Sequence, residues 1–143
     1  VTFAWLVTVS GMAEGIAGAM LRISDDPTVL LFLVNVLLLL IGMFLDAGPA
    51  ILILGPVLAP IFVEMGVHPV HFALVMCVNL TIGLATPPMG LVLFVTSSVS
   101  GVRVESIVRA MLPFLAVEIA VLMLITFFPP LTLALPRWLG LVQ

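Results

Sequence analysis

The sequence predicts an all-α integral membrane protein, on three observations. Hydrophobic residues make up 64% of its 143 positions and charged residues 8%, against about 25% charged in a soluble globular domain. The ionisable side chains fall in clusters separated by neutral runs long enough to be measured against the roughly 30 Å hydrocarbon core of a bilayer. No soluble domain, linker or low-complexity tail breaks that pattern. Four Arg, seven acids and no Lys cannot clothe a soluble fold of this size, so the lipid bilayer is the solvent that suits its surface. The net charge of −3 leaves no basic patch, which argues against a nucleic-acid partner. The single Cys77 lies in an apolar run, cannot form an intrachain disulfide, and reads as a small buried hydrophobe.

Residues 1–24 are expected to hold the end of a membrane helix and an amphipathic segment. The opening Val1-Thr2-Phe3-Ala4-Trp5-Leu6 has neither an initiator Met nor a basic region, so it is not a signal peptide, and residue 1 reads as a cut. Met12, Ile16, Ala19, Met20 and Ile23 then recur at helical spacing around Glu14 and Arg22, as in a helix lying near the interface. Gly11, Gly15 and Gly18 have the spacing that lets helices approach closely, or that merely loosens an interface segment. Ser24-Asp25-Asp26-Pro27 is a loop and a helix start, an acidic cap followed by proline in the first turn.

Residues 28–65 read as a helical hairpin. Two neutral runs of about 17 residues, near the lower limit for a membrane span, flank Phe44-Leu45-Asp46-Ala47-Gly48-Pro49-Ala50. Two arrangements satisfy the pattern. In one, Asp46 caps the second of two ordinary membrane helices in a water-exposed turn. In the other, the hairpin is re-entrant and its tip stops inside the membrane, facing an aqueous or protein-lined cavity, the condition under which irregular backbone is tolerated at that depth.

Residues 70–99 would make a helix about 45 Å long at 1.5 Å per residue, which overshoots the membrane without a charge to break it. Tandem proline breaks it instead, within Gly83-Leu84-Ala85-Thr86-Pro87-Pro88-Met89-Gly90. Pro87 and Pro88 have no N–H, so the carbonyls of Gly83 and Leu84 lose their helical partners. Thr86 and Pro87, each preceding a proline, are pushed from helical dihedrals. The expected result is a helix, an unwound link and a second helix starting near Met89. Freed carbonyls and the Thr86 hydroxyl are hard oxygen donors suited to Na⁺, and the second half-helix offers N–H groups to an anion. The alternative is a proline kink repaired by a neighbouring hydroxyl; tandem proline between two glycines favours the ion-binding link. After a polar segment from Gly101 to Arg109, residues 110–130 read as the last membrane helix, from about Met111 to Phe128 and ending at Pro129-Pro130, with Arg137 and Trp138 as interface anchors.

Other polar residues have blander readings. Asn35 reads as an amide bonding a neighbouring helix. Asn79 and Thr81 either orient the link or reach the site. Glu118 is an acid in the last membrane helix, a functional suggestion by default, but near enough to the Arg109 end to snorkel as a scaffold residue. His68 and His71 read as interfacial, because neither a metal-ligand set nor a partnered nucleophile accompanies them. Arg103 and Arg109 share one short loop, which favours a cytoplasmic position for residues 100–110.

The segment Gly42-Met43-Phe44-Leu45-Asp46-Ala47-Gly48-Pro49-Ala50-Ile51-Leu52-Ile53-Leu54 resembles the C-terminal hairpin of the large, DctM-type permease subunit of tripartite ATP-independent periplasmic (TRAP) transporters. His68-Pro69-Val70-His71-Phe72, leading into the stretch from Val78 to Gly90, resembles the broken helix that follows in that family. Phe128-Pro129 to Leu135-Pro136 resembles its C-terminal end. The resemblance covers essentially the whole chain in the right order. It implies an elevator-type secondary transporter of dicarboxylates or sialic-acid-like acids in the bacterial inner membrane, with Na⁺ as coupling ion, no other cofactor and no catalytic residue. It also implies a small membrane subunit and a periplasmic substrate-binding protein as partners. In such permeases two inverted repeats each supply a re-entrant hairpin and a broken helix. Residues 1–143 would then be the C-terminal half, one inverted repeat, with the other half upstream of residue 1.

Carried onto this sequence, the resemblance puts substrate against Asp46, Ala47, Gly48 and Pro49 at the tip and Thr86, Pro87 and Pro88 at the link. It puts Na⁺ among mainly backbone oxygens of Gly83, Ala85, Thr86 and Met89, with Asp46 as a second ligand candidate. Gly48 stands where the family often has a hydroxyl, so a carbonyl or water would serve there. The cation expected to hold a carboxylate has no candidate in the neutral stretches and is expected upstream. The competing readings are a related elevator-type anion carrier without a binding protein and a non-transporting membrane scaffold, in which Thr86 would matter only for stability.

Overall fold

The structure, a computed structural model, describes Gly18, Arg22 and residues 26–140. The helix end and amphipathic segment expected over residues 1–24 lie outside the described residues, apart from Gly18 and Arg22. Among the described residues there are six long helices and no strand: α1 Pro27–Phe44, α2 Ala47–Glu64, α3 Pro69–Ala85, α4 Leu91–Ser100, α5 Val104–Phe127 and α6 Pro129–Trp138. Three of them, α1, α2 and α5, are long and apolar enough to cross a membrane.

Local chemistry sets the ends of these helices. The Asp26 carboxylate accepts the Thr28 N–H at 2.9 Å, and Pro27 occupies the first position, where its missing N–H costs nothing. Glycine closes α2. Gly66 takes a left-handed φ of 86°, while Val67 N–H donates to Phe62 C=O at 2.8 Å and Gly66 N–H to Val63 C=O at 3.0 Å. This pair of bonds satisfies the orphan carbonyls of a helix end. His68 then caps α3 through its Nδ1, which accepts the Val70 N–H at 3.2 Å. Pro56 and Pro60 sit inside α2 without ending it.

The bundle is organised around α3, which packs against every other described helix. Helix α1 lies parallel to it, since Asn35 meets Asn79 and, further along both, Gly42 meets Gly83. Helix α2 returns antiparallel and touches α1 little. The first core joins Leu30, Val34 and Leu38 of α1, Ala50, Leu58 and Phe62 of α2, and Phe72, Met76 and Leu80 of α3. The rings of Phe62 and Phe72 stack 4.8 Å apart. A second cluster joins Val75 and Ile82 of α3 to Leu115 and Leu122 of α5. Most other large apolar side chains point outward, Leu52 at 73% and Val99 at 85% exposure among them, as lipid-facing or subunit-facing surfaces do.

Several expectations need correcting. Helix α5 starts at Val104, seven residues before the apolar run, and takes in Glu105 and Arg109. An acid in the first turn suits a helix N-terminus and is no reason for a loop. Pro129-Pro130 ends α5 but also opens α6, since proline is tolerated in a first turn. Cys77 is exposed, not buried. His71 is 1% exposed and shares a 2.6 Å hydrogen bond with the Thr132 hydroxyl of α6.

Asn35 bonds its neighbouring helices as an amide in a membrane should. The Asn79 amide donates to Asn35 Oδ1 at 2.6 Å and to its carbonyl at 2.9 Å. The Asn35 amide donates to Thr126 Oγ1 at 3.0 Å, and that hydroxyl donates to Leu122 C=O at 2.7 Å. One buried polar chain thus ties α1, α3 and α5 together.

Candidate ion and substrate site

The site is built from two interruptions in the helices. The first is the turn between α1 and α2. Leu45 and Asp46 are extended, and Asp46 stands at the N-cap of α2 with no side-chain capping bond. Its carboxylate is exposed, as the blander reading of the turn expects, but makes no capping bond to the start of α2. Ala47 is half-buried, Gly48 and Pro49 are exposed, and Ala50 is fully buried in the first core.

The second interruption is the link between α3 and α4, five residues from Thr86 to Gly90. It is shorter than the expected Gly83–Gly90, because Gly83, Leu84 and Ala85 remain in α3 and the second half-helix starts at Leu91. Two carbonyls expected to be free or ion-facing have partners. Gly83 C=O accepts the Thr86 N–H at 3.0 Å, a tightened last turn that replaces the bond lost to proline. Thr86 C=O accepts the Gly90 N–H at 3.2 Å. The Thr86 hydroxyl donates to Ile82 C=O at 2.8 Å, which spends its one hydrogen and leaves its lone pairs as acceptors. The Pro87–Pro88 peptide is cis, and Met89 is 54% exposed. Gly90 is required sterically: a Cβ there would lie 2.5 Å from Leu84 O. Helix α4 begins without a side-chain cap, so its first N–H groups are the kind that anions meet.

The two interruptions rise from one point. A Cβ on Gly83 would lie 2.7 Å from both the Cα and the carbonyl carbon of Gly42, so α1 and α3 touch backbone to backbone. Asp46 follows Gly42 by four residues and Thr86 follows Gly83 by three. Parallel helices therefore deliver tip and link to the same end of the bundle. Gly42 was not singled out from the sequence, because a glycine inside an apolar run gives no sign of its partner.

Asn79 and Thr81 take no part in the link. Asn79 belongs to the chain with Asn35, and the Thr81 hydroxyl donates to Cys77 C=O at 2.7 Å. A cationic residue does stand near the link. Arg109 lines a cavity of about 440 Å³ together with Pro87, Pro88 and Glu105. The early start of α5 puts it there, and the sequence reading had assigned it to a loop. Among the described residues no group of three His, Cys, Asp or Glu side chains is placed to hold a metal. A cation here would rely mainly on hydroxyl and carbonyl oxygens.

The sequence of residues 1–131 matches the family described as tripartite ATP-independent periplasmic transporter, DctM component. The chain belongs to this family. It is 41% identical over 139 residues to the C4-dicarboxylate TRAP transporter large permease protein DctM of Pseudomonas aeruginosa, covering 97% of this chain and 33% of the relative. It is also 41% identical over 135 residues to the sialic acid TRAP transporter large permease protein SiaM of Vibrio cholerae, covering 94% and 32%. The isethionate TRAP transporter permease protein DctMQ of Oleidesulfovibrio alaskensis is 44% identical over 127 residues, 89% of this chain and 20% of that protein. This DctM-family chain thus spans a third or less of the length of these curated relatives. Membership, with three helices long and apolar enough to cross a membrane, places it in the bacterial inner membrane.

Proposed function

We propose that this DctM-family chain forms one repeat of an elevator-type permease that takes up an organic acid together with Na⁺. A periplasmic binding protein delivers the acid, and a small membrane subunit completes the complex. The observation that carries this reading is the Gly42–Gly83 contact, which delivers the Asp46 tip and the Thr86 link to the same end of the bundle. Such paired interruptions are where transporters of this kind hold ion and substrate. The Thr86 lone pairs, the Ala85 and Met89 carbonyls and the second lone pair of Gly83 C=O supply the ion's oxygens, with Asp46 as a further ligand. The α4 N-terminus and the tip residues Ala47 to Pro49 face the substrate, with Pro87 and Pro88 shaping its floor. Ion binding at the link draws the hairpin against it and completes the substrate site. Coupling follows because the ion favours the state that binds substrate, and the effect is reciprocal. A dicarboxylate or a sialic-acid-like acid fits the names of the relatives.

The test is uptake of a labelled organic acid by the full-length complex in proteoliposomes, with its binding protein and with or without an inward Na⁺ gradient. Thr86→Ala is expected to raise the Na⁺ concentration for half-maximal uptake at least tenfold, about 1.4 kcal/mol of ion binding, while Thr86→Ser stays near wild type. Uptake indifferent to both Na⁺ and Thr86 would remove the ion-coupled mechanism and leave the fold standing.

A further inference from the structure

Helix α5 carries an acid where a membrane helix tolerates one only with a partner. Glu118 stands nine residues before the C-terminal end of a 24-residue apolar helix, about 13 Å from that end at 1.5 Å per residue. That is too deep for a short carboxylate side chain to reach the interface, which corrects the reading of Glu118 as a snorkelling residue. Arg109 sits nine residues earlier on the same helix, at a similar distance. Glu118 is nevertheless exposed on the surface of this chain.

The surface around it is shaped. Glu118, Val117 and Val121 of α5 and Cys77, Thr81 and Ile82 of α3 line an open groove of about 390 Å³. Its walls give the carboxylate little. The one hydrogen of the Thr81 hydroxyl goes to Cys77 C=O at 2.7 Å, and a thiol is a weak donor. An ionisable group at this depth faces the interior of a bundle and pairs with another polar group, because lipid offers it nothing. The relatives of this chain carry about two-thirds or more of their length outside the stretch that matches. A full-length permease of the relatives' size has polypeptide outside this stretch from which a further membrane helix can come.

We propose that the α3–α5 groove seats a membrane helix from the part of the full-length permease outside this stretch. That helix presents a basic or amide hydrogen-bond donor to the Glu118 carboxylate. Small and β-branched walls at Cys77, Thr81, Val117 and Val121 let its backbone approach closely, and the carboxylate fixes its register. This surface faces away from no-one in the assembled protein; it is an internal seam between the halves of one chain, and it stands whether or not an ion binds at the link.

The test uses the full-length permease in its own membrane with a benzophenone amino acid at position 121. Irradiation and peptide mass spectrometry are expected to join that position to a peptide of the same polypeptide outside residues 1–143. Attachment to the small membrane subunit, or to lipid alone, would overturn the assignment. Thermal unfolding of Glu118→Gln and Glu118→Leu permease reads the acid's role separately. A paired carboxylate predicts a lower melting temperature for Glu118→Leu and a smaller loss for Glu118→Gln. A Glu118→Leu variant as stable as wild type, or more stable, would show an acid without a partner and sink the proposal.

Discussion

Gly42 and Gly83 meet with no side chain between them, so that a single methyl group on Gly83 would overlap the Gly42 backbone at 2.7 Å. Neither backbone can yield without moving its whole helix. Gly83→Ala is therefore expected to destabilise the permease by at least about 1–3 kcal/mol, the usual range for overpacking. Gly42→Ala, whose methyl would sit 3.0 Å from Leu80 O and 3.1 Å from Gly83 Cα, is expected to cost less. Gly55→Ala meets nothing within 4 Å and gains helix propensity, so it should be neutral or slightly stabilising. Thermal unfolding of the purified permease in detergent ranks the three.

The Asn35–Asn79 pair makes a second prediction. Hydrogen bonds between membrane helices are worth about 0.6 kcal/mol on average and up to about 1.7. Asn79→Ala and Asn35→Ala are each expected to cost in that range, and the double variant less than the sum, because each deletion already breaks the shared bond between the two side chains. Strict additivity in a double-mutant cycle would mean the two amides act independently.

The two aspartates at helix starts should behave differently. Asp26 caps α1 through Thr28, so Asp26→Ala is expected to cost about 1 kcal/mol. Asp46 holds the same position on α2 but makes no capping bond, so Asp46→Ala should leave the melting temperature nearly unchanged while lowering uptake. An equal loss of stability in both variants would return Asp46 to a structural role.

Gly90 gives the sharpest separation of fold from function. Its backbone is open to any residue, so the cost of Gly90→Ala is steric alone, a methyl 2.5 Å from Leu84 O. Relief requires α4 to shift away from the end of α3. The variant is expected to insert and fold but to lose most uptake, measured as transport per folded permease in proteoliposomes. Full uptake would show that the link tolerates a displaced half-helix.

Much of the fold was legible because membrane helices announce their ends. Asp26-Pro27, Asp46, Glu64 and Pro87 each stand within two residues of an observed boundary, since charge and missing N–H groups act locally. What failed was equally local in cause. Glu105 and Arg109 were read as a loop although an acid suits a helix's first turn and an arginine four residues on shares its face, and Pro129-Pro130 was read only as a stop. The site was half legible. Thr86 and the tandem proline name themselves, whereas the Gly42–Gly83 contact is a pairing between residues forty-one apart. One sequence holds no record of such pairings, and the same silence hid the partner of His71 and the exposure of Cys77.

The central place of α3 has a consequence for biosynthesis. It is the third of the described helices to leave the ribosome, yet both earlier ones lean on it and hardly on each other. While residues 27–64 are being made and inserted, the described helix on which both of them pack is still in the exit tunnel, and that packing waits on it. A nascent chain stalled before residue 69 would present two apolar helices without the described helix that covers one face of each. Synthesis through Ala85 is the point after which the pair has a shelter.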